Sequence, residues 1–364
     1  NFCGIVVDVD GNMVGILVDM VEQMVDVPIG SILPVPTSRA RPWCPACGPC
    51  PTATPCWSWT ATCCSTAEPS GPGGAAPRRG RGPRRLNTMS EGGNAEMIQP
   101  ISDEDFRRLT SFIKSEYGIT LQEKRQLVTS RLSSLLTEQG YSSFSQFVTQ
   151  LLKEKDPQKI EQVLNRLTTN YTFFMRETEH FDFFSKVILP ELVRKYQSKR
   201  SIAIWSAGCS SGEEPYNLSM YIKDYLGMQA NQWDTRILAT DISQKALATA
   251  KKGVYEVPNT VPDAWRKKYF KKIEGSRYAV SPEIRNNVIF QTFNLMDPIK
   301  FRTKFDVIFC RNVMIYFDQP TKDALVRRFY DATVPGGYLM ISHSENLSKD
   351  APYVTVAPST FQKK

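Results

Sequence analysis

Between residues 200 and 345, five short apolar runs alternate with segments of helical period. The runs are IAIWSAG (202–208), TRILATDIS (235–243), NVIFQTFNL (287–295), KFDVIFCRN (304–312) and GGYLMIS (336–342). The helical segments between them include EPYNLSMYIKDYL (214–226), SQKALATAKKG (243–253) and PTKDALVRRFYDATV (320–334). A strand with no polar face must be covered on both sides, and a helix between two such strands returns the chain so that they run parallel. The pattern predicts an open α/β sheet whose ligand site lies beyond the carboxyl ends of its strands.

The residues at those ends form a consistent set. The first strand runs into Gly208-Cys209-Ser210-Ser211-Gly212, followed by Glu213-Glu214, with Pro215 opening a helix. Asp241 follows the second strand, Asn294-Leu295 the next, and Arg311-Asn312 the run FDVIFC. The loop fits the G-x-S-x-G elbow of a serine hydrolase, and it equally fits a glycine loop against which a nucleotide lies. A hydrolase would use Ser210, an aspartate such as Asp306, and His343, because His180 precedes the serine. Two carboxylates at the start of the following helix oppose the oxyanion that chemistry must stabilise. A dehydrogenase lacks its G-x-G-x-x-G, and an acid at the loop repels pyrophosphate. A phosphate-free, positively charged nucleotide such as S-adenosylmethionine suits glycines beside acids. Singly, each residue also has a plain structural reading: Asp241 with Ser243 caps a helix, and Asn294 holds a turn.

Upstream, Ser102-Asp103-Glu104-Asp105 caps a helix with Phe106, Leu109, Phe112 and Ile113 on one face. A second helix carries Leu127, Val128, Leu132, Leu135 and Leu136 and ends at Gly140. A third carries Phe144, Phe147, Val148 and Leu151, and Asp156-Pro157 opens a fourth with Ile160, Val163, Leu164 and Leu167. Short helices on short loops make a small bundle.

The first third differs. Residues 1–36 read as β structure around a turn at Asp10-Gly11-Asn12, and VGILVDMVEQMVDVPIGSILPVP resembles the end of a chemotaxis coupling domain. Residues 37–96 form a low-complexity linker rich in Pro, Gly, Ala, Arg, Cys and Trp, which cannot offset its ordering entropy by burial. Six of the nine cysteines fall between Cys44 and Cys64. Cys44-x-x-Cys47-x-x-Cys50 has metal-ligand spacing, but no histidine precedes His180, so no metal site is expected. The stretch also reads as a GC-rich coding region translated out of frame, with Met89 or Met97 as the start of the working protein. The domains expected are therefore 1–36, 37–96, a helical domain over 97–180 and a catalytic domain over 181–364.

Charge divides the same way. Residues 1–96 carry seven Arg and no Lys against eight acids, whereas residues 97–364 carry 38 basic groups against 29 acidic. The downstream part prefers an anionic partner, although basic side chains also simply solvate helix faces. Neither a membrane-spanning helix nor a signal peptide is legible, so a cytoplasmic protein without membrane insertion is expected.

From about Ile98 to the end the chain resembles the chemotaxis receptor methyltransferases. The matching segments are TTNYTFFMRE (168–177), WSAGCSSGEEPYN (205–217), ATDIS (239–243), FNL (293–295), FCRNVMIYF (309–317) and SHSEN (342–346). The resemblance implies a Rossmann-like, S-adenosylmethionine-dependent methyltransferase sheet behind a small all-α domain. It implies transfer of a methyl group to glutamate side chains of methyl-accepting chemotaxis receptors, leaving S-adenosylhomocysteine. It places Asn170, Thr172 and Arg176 near the cofactor from the linker side, Gly208 in its loop, Glu213 at its methionine moiety and Asp241 at its ribose. Asn294 and Leu295 would surround the adenine, Arg311 and Asn312 would line the pocket, and Arg176 and Tyr316 would flank the transferred methyl and the incoming carboxylate. A glutamate is ionised at neutral pH and needs no general base, so alignment and exclusion of water are the enzyme's task. Arg107, Arg108, Lys124, Arg125 and Arg131 would meet the receptors' acidic helical surface. A nucleic-acid methyltransferase commonly places Asn/Asp-Pro-Pro-aromatic where this chain has Arg311-Asn312-Val313-Met314, so no nucleic-acid partner is expected. An alternative is a cofactor-binding adaptor or sensor without activity.

Overall fold

The computed structural model describes residues 3–9, 12–18, 43–44, 48–49, 99–257 and 260–364. The chain divides into two compact units, residues 1–91 and 92–364. In the first, β1 (Cys3–Val9) and β2 (Asn12–Val18) form an antiparallel hairpin with Val9 opposite Asn12, where the Asp-Gly turn signal puts it. A second short pair joins β3 (Trp43–Cys44) to β4 (Gly48–Pro49). The rest of the coupling-domain resemblance, Cys47 and Cys50 lie outside the described residues.

The second unit begins with four helices: α1 (Asp103–Tyr117), α2 (Arg125–Glu138), α3 (Phe144–Glu154) and α4 (Pro157–Leu167). Three have side-chain N-caps, from Ser102, Ser143 and Asp156, which satisfy backbone N–H groups that the first turn leaves open. α1 packs on α3 and α2 on α4, and Leu109, Val128, Leu132, Leu136, Phe147, Val148 and Val163 are buried between them. Phe112 and Leu127, expected on the apolar faces, are only half-buried at the margin. A linker then leads into α5 (Thr178–Phe183), a π-helical turn and α6 (Leu189–Lys195).

The sheet follows as expected, with additions. β5 (Ile204–Ala207) leads to α7 (Glu213–Leu226), and β6 (Ile237–Asp241) to α8 (Gln244–Lys252). A small antiparallel sheet of β7 (Val254–Glu256), β8 (Phe270–Lys272) and β9 (Arg277–Val280) is inserted around α9 (Asp263–Tyr269), and α10 (Pro282–Arg285) leads out of it. Then come β10 (Val288–Thr292), β11 (Phe305–Cys310), α11 (Gln319–Ala332) and β12 (Thr333–Ile341). A closing hairpin of β13 (Tyr353–Ala357) and β14 (Thr360–Lys363) completes the unit. The main sheet has the order β10-β6-β5-β11-β12-β14-β13. Its first five strands are parallel, and the hairpin adds β14 antiparallel to β12 and then β13 antiparallel to β14. The order reverses direction between β5 and β11, the switch point where such sheets open a crevice.

The helices are fastened to this crevice. The α1–α2 connection runs along the segment after β11, with Ile119 bridging Phe317 and the Thr120 amide donating to the Tyr316 carbonyl at 2.8 Å. Lys114 pairs with Asp318 at 2.7 Å. One continuous apolar core joins both parts, running from Leu132 and Phe147 to Trp205, Phe305 and Phe329.

Candidate active site

A cleft opens at the carboxyl ends of β5, β6 and β11, roofed by the α1–α2 connection and the α4–α5 linker. Of the residues expected from sequence, Asn170, Thr172, Arg176, Gly208, Asp241, Asn294, Leu295, Arg311, Asn312 and Tyr316 line it, and Glu213 does not. Adjacent residues on a helix point about 100° apart, and at the start of α7 it is Glu214 that faces the cleft. Glu213 turns inward, where its carboxylate accepts from the Ser211 hydroxyl at 2.7 Å. Burial pushes the Glu213 carboxyl up to about 7, against the smaller lowering effect of Ser211 and a backbone N–H.

The loop after β5 owes its path to glycine. Gly208 has φ +83, and a Cβ there would run into the Val313 side chain. Its N–H and that of Cys209 both donate to the Thr240 carbonyl, at 2.7 and 2.9 Å, which folds the loop over β6. Asp241 closes the turn by accepting from the Ser210 amide at 2.7 Å and the Ser243 amide at 2.9 Å. Burial raises the Asp241 carboxyl, and these amides oppose the rise. Ser243, not Asp241, caps α8 by accepting from the Ala246 amide at 3.1 Å, and Asp241 keeps room for a cleft ligand because each carboxylate oxygen has a second lone pair.

Asn294 ties the cleft to the helical part. Its Nδ2 donates to the Glu116 carbonyl at 2.8 Å and its Oδ1 accepts from the Met296 amide at 3.0 Å. The Leu295 carbonyl accepts from Arg328 at 2.7 Å. The Tyr316 hydroxyl donates to the Thr169 carbonyl at 3.2 Å, and Arg176 donates to the Tyr171 carbonyl at 2.7 Å. Sequence reasoning missed Tyr117, Ile119, Phe173, Phe181 and Phe293 on the cleft wall. Tyr117 and Ile119 arrive by docking of a distant helix end, for which no local pattern exists.

Arg311 is buried and sits between two carboxylates. It pairs with Glu214 at 3.0 Å and Glu177 at 3.3 Å, and also donates to the Arg176 carbonyl. Glu177 further accepts from Asn312 Nδ2 at 3.2 Å, the Ser342 hydroxyl at 3.0 Å and the His343 amide at 3.2 Å. Burial pushes its carboxyl up, but His180, Arg311, Asn312 and Ser342 together hold it well below the usual carboxylate range. Glu177, His180 and His343 bring ligand atoms within 4.8 Å of one another, a spacing a metal could use. The two rings, however, stack face to face at 4.1 Å, which sets their in-plane lone pairs side by side rather than toward one centre. The Glu177 oxygens are already occupied as acceptors.

The hydrolase arrangement does not assemble. Ser210 Oγ donates to the Asn170 carbonyl at 3.1 Å, while His343 stacks on His180 and meets Ser359 at 3.4 Å. Neither histidine is among the residues of the cleft wall.

The donor set fits S-adenosylmethionine. Asp241 at the end of β6 presents a carboxylate for vicinal hydroxyls, Phe293 and Leu295 give an apolar wall for a base, and the Gly208 cradle is space a Cβ would fill. Acids beside it suit a sulfonium and an ammonium group.

The family description "CheR methyltransferase, SAM binding domain" matches residues 170–362, and "CheR methyltransferase, all-alpha domain" matches residues 104–168. The chain is 37% identical over 269 residues to the chemotaxis protein methyltransferase of Borreliella burgdorferi, covering 72% of this chain and 95% of that protein. It is 39% identical over 248 residues to the probable chemotaxis protein methyltransferase of Rhizobium etli, covering 66% and 92%. With the chemotaxis protein methyltransferase of Salmonella typhimurium it shares 35% identity over 255 residues, covering 68% and 85%. Taken with the cleft, these matches show that the chain belongs to the chemotaxis protein methyltransferase family and uses S-adenosylmethionine.

Proposed function

We propose that this chain esterifies glutamate side chains of chemotaxis receptors in the cytoplasm, and that residues 97–364, a helical domain to about residue 180 and a catalytic domain beyond it, are the working unit. One observation supports the reading: Arg176 and Tyr316 are both among the described residues of the cleft wall, and no histidine or lysine is among them. That lining suits a nucleophile that arrives already ionised, as a glutamate with a pKa near 4.3 does.

When bound, S-adenosylmethionine supplies an electrophilic methyl group. The chain's residues bind and align. Asp241 accepts the ribose hydroxyls, Asn294 and Leu295 border the adenine, and Asn170, Thr172, Gly208, Arg311 and Asn312 complete the wall. At the methionine end the start of α7 offers Glu214 on the wall and Glu213 behind Ser211. Arg176 orients the incoming carboxylate, and exchanging its bond to the Tyr171 carbonyl for the substrate costs little, because one acceptor replaces another. Tyr316 offers a neutral hydroxyl near the same point. A grip by Arg176 that was too strong would stabilise the ground state, so a single shared guanidinium suits the task.

The receptor side is shallower. A groove lined by Arg131, Ser134, Asn165 and Arg166 continues from the cleft past Thr168–Tyr171. Several of the basic residues on α1 and α2 are internally paired: Arg108 with Asp105, Arg125 with Asp103, and Arg131 with the Arg166 and Leu167 carbonyls. An acidic receptor helix would therefore meet a partly neutralised face.

The test is transfer of radiolabelled methyl from S-adenosylmethionine to receptor-containing membranes. Label that mild base releases, and that falls on the order of 100-fold in Arg176→Ala, is the expected result. Base-stable label would overturn the glutamate assignment.

A further inference from the structure

Glu177 directly follows Arg176 and lies outside the residues that line the cleft, yet its carboxylate meets Arg311, Asn312, Ser342 and the His343 amide. Its backbone is left-handed, with φ 54, and so is that of Met175 on the other side of Arg176, with φ 64. Neither side chain favours that region, so two consecutive alternations of backbone hand must be held by something outside the segment. The Met175 side chain is anchored in an apolar cluster with Phe174 and Cys209. The Glu177 carboxylate is anchored to the ends of two central strands: Asn312 and Arg311 beyond β11, and Ser342 and the His343 amide beyond β12. Arg311 closes the circuit by reaching the Arg176 carbonyl and Glu214 from the same guanidinium.

We infer that Glu177 is the positioning residue of the reaction: its carboxylate pins the linker to the ends of β11 and β12 and so sets the angle at which Arg176 presents its guanidinium to the substrate carboxylate. The inference rests on the proposed role of Arg176. Its chemistry explains why a carboxylate is needed. Glu177 accepts from three separate donors and pairs with a buried cation, Arg311, and only an ionised carboxylate offers acceptor capacity on both oxygens together with the charge that pairing needs. Glutamine keeps the length but turns one end into a donor facing Asn312 Nδ2 or Arg311, which cannot accept.

The experiment compares wild type, Glu177→Gln and Ser342→Ala as full chains, with kcat and receptor KM from radiolabel transfer and affinity for S-adenosylhomocysteine from calorimetry. Glu177→Gln is expected to lower kcat on the order of 100-fold, the loss that misplacement by about 1 Å brings. Affinity for S-adenosylhomocysteine should change by no more than about threefold, because Glu177 touches Arg311 and Asn312 from behind the wall and does not itself line the cleft. Ser342→Ala, which removes one donor and leaves the charge, should lower kcat by an intermediate factor. An unchanged kcat in Glu177→Gln overturns the inference, as does a kcat loss matched by an equal loss of S-adenosylhomocysteine affinity. Should Glu177→Gln fail to fold, an unchanged kcat in Ser342→Ala overturns it. If the wild type labels a side chain other than glutamate, the substrate reading falls, and the variant-to-wild-type ratio on that side chain still decides the role of Glu177.

Discussion

Gly208→Ala separates two costs that the structure assigns to one position. The first is conformational: φ is +83, and a residue with a Cβ gives up roughly 1–2 kcal/mol there. The second is steric: the new methyl would overlap a Val313 γ-carbon, and overpacking of that kind costs about 1–3 kcal/mol. Gly140 provides the control, because its φ is +74 and nothing lies within 4 Å of where its Cβ would be. Gly140→Ala should therefore lose only the conformational part. Val313→Ala removes the offending γ-carbons and leaves its own Cβ 3.4 Å from the new methyl, an ordinary contact. In a double-mutant cycle read by thermal unfolding, Gly208→Ala and Val313→Ala should couple favourably by about 1–3 kcal/mol, and the double variant should retain the Gly140-like residue of the cost. At roughly 2–4 °C per kcal/mol for a domain of this size, the single variant should melt on the order of 5–15 °C below wild type. Additivity within about 0.5 kcal/mol, or a Gly208→Ala loss no larger than that of Gly140→Ala, would refute the assignment. Cofactor affinity should follow the same cycle, since Val313 and Gly208 share the cleft wall.

Other predictions concern the acids. Asp241→Asn should weaken S-adenosylhomocysteine binding by about 10–100-fold, the worth of hydrogen bonds to a charged acceptor, measured by calorimetry; an unchanged affinity would remove Asp241 from the ribose site. Buried Glu213, with its carboxyl raised from 4.5 to about 7, holds its proton in the folded chain after the unfolded chain has lost it. Its contribution to stability therefore falls as pH rises through that window, by about 3 kcal/mol at most, and levels off above it. Glu213→Gln should flatten the decline in denaturant titrations between pH 5 and 8; an equally steep decline in the variant would trace it to another group. Comparing Glu213→Gln with Glu214→Gln for S-adenosylhomocysteine affinity decides which carboxylate serves the methionine end, and the wall position of Glu214 predicts the larger loss there.

The elements that were legible in the sequence were those whose burial sets a period. The four helices of the bundle each show one apolar stripe, and the central strands β5 and β11 are buried along their whole length, so two different periodicities announce two architectures. The small sheet of β7, β8 and β9 was not legible. Its strands are three or four residues long, and exposed residues such as Lys271, Lys272 and Arg277 interrupt them, so no alternation survives for a pattern to catch. The hairpin of β13 and β14 escaped for a related reason: its turn puts Ser359 at φ 52, and serine is no turn signal of the strength of Asn-Gly. β12 begins at Thr333 rather than at Gly336 because pairing with β11 resumes across an irregularity between Phe305 and Val307.

The site divides along the same line. Residues that act because they stand at strand ends, such as Asp241, Asn294 and Arg311, follow from topology once the strands are placed. Residues whose role depends on helix phase or backbone hand do not follow. Glu213 and Glu214 are chemically identical and adjacent, and only the rotation of α7 selects which one the cleft sees. Met175, Glu177, Ser210 and Asn312 are all left-handed, and Ser210 and Asn312 lie on the cleft wall while Met175 and Glu177 bracket Arg176. None is a residue type that demands such a conformation, so the sequence carries no mark of it; the surrounding contacts impose it. Strain gathered at one cleft means that part of the folding free energy is committed to holding particular groups at particular angles. Relaxing Met175, Ser210 or Asn312 to an unstrained conformation would therefore be expected to raise stability while lowering transfer, whereas at Glu177 the ionised contacts that hold its carboxyl well below the usual range outweigh the strain, so loss of that carboxylate should lower both.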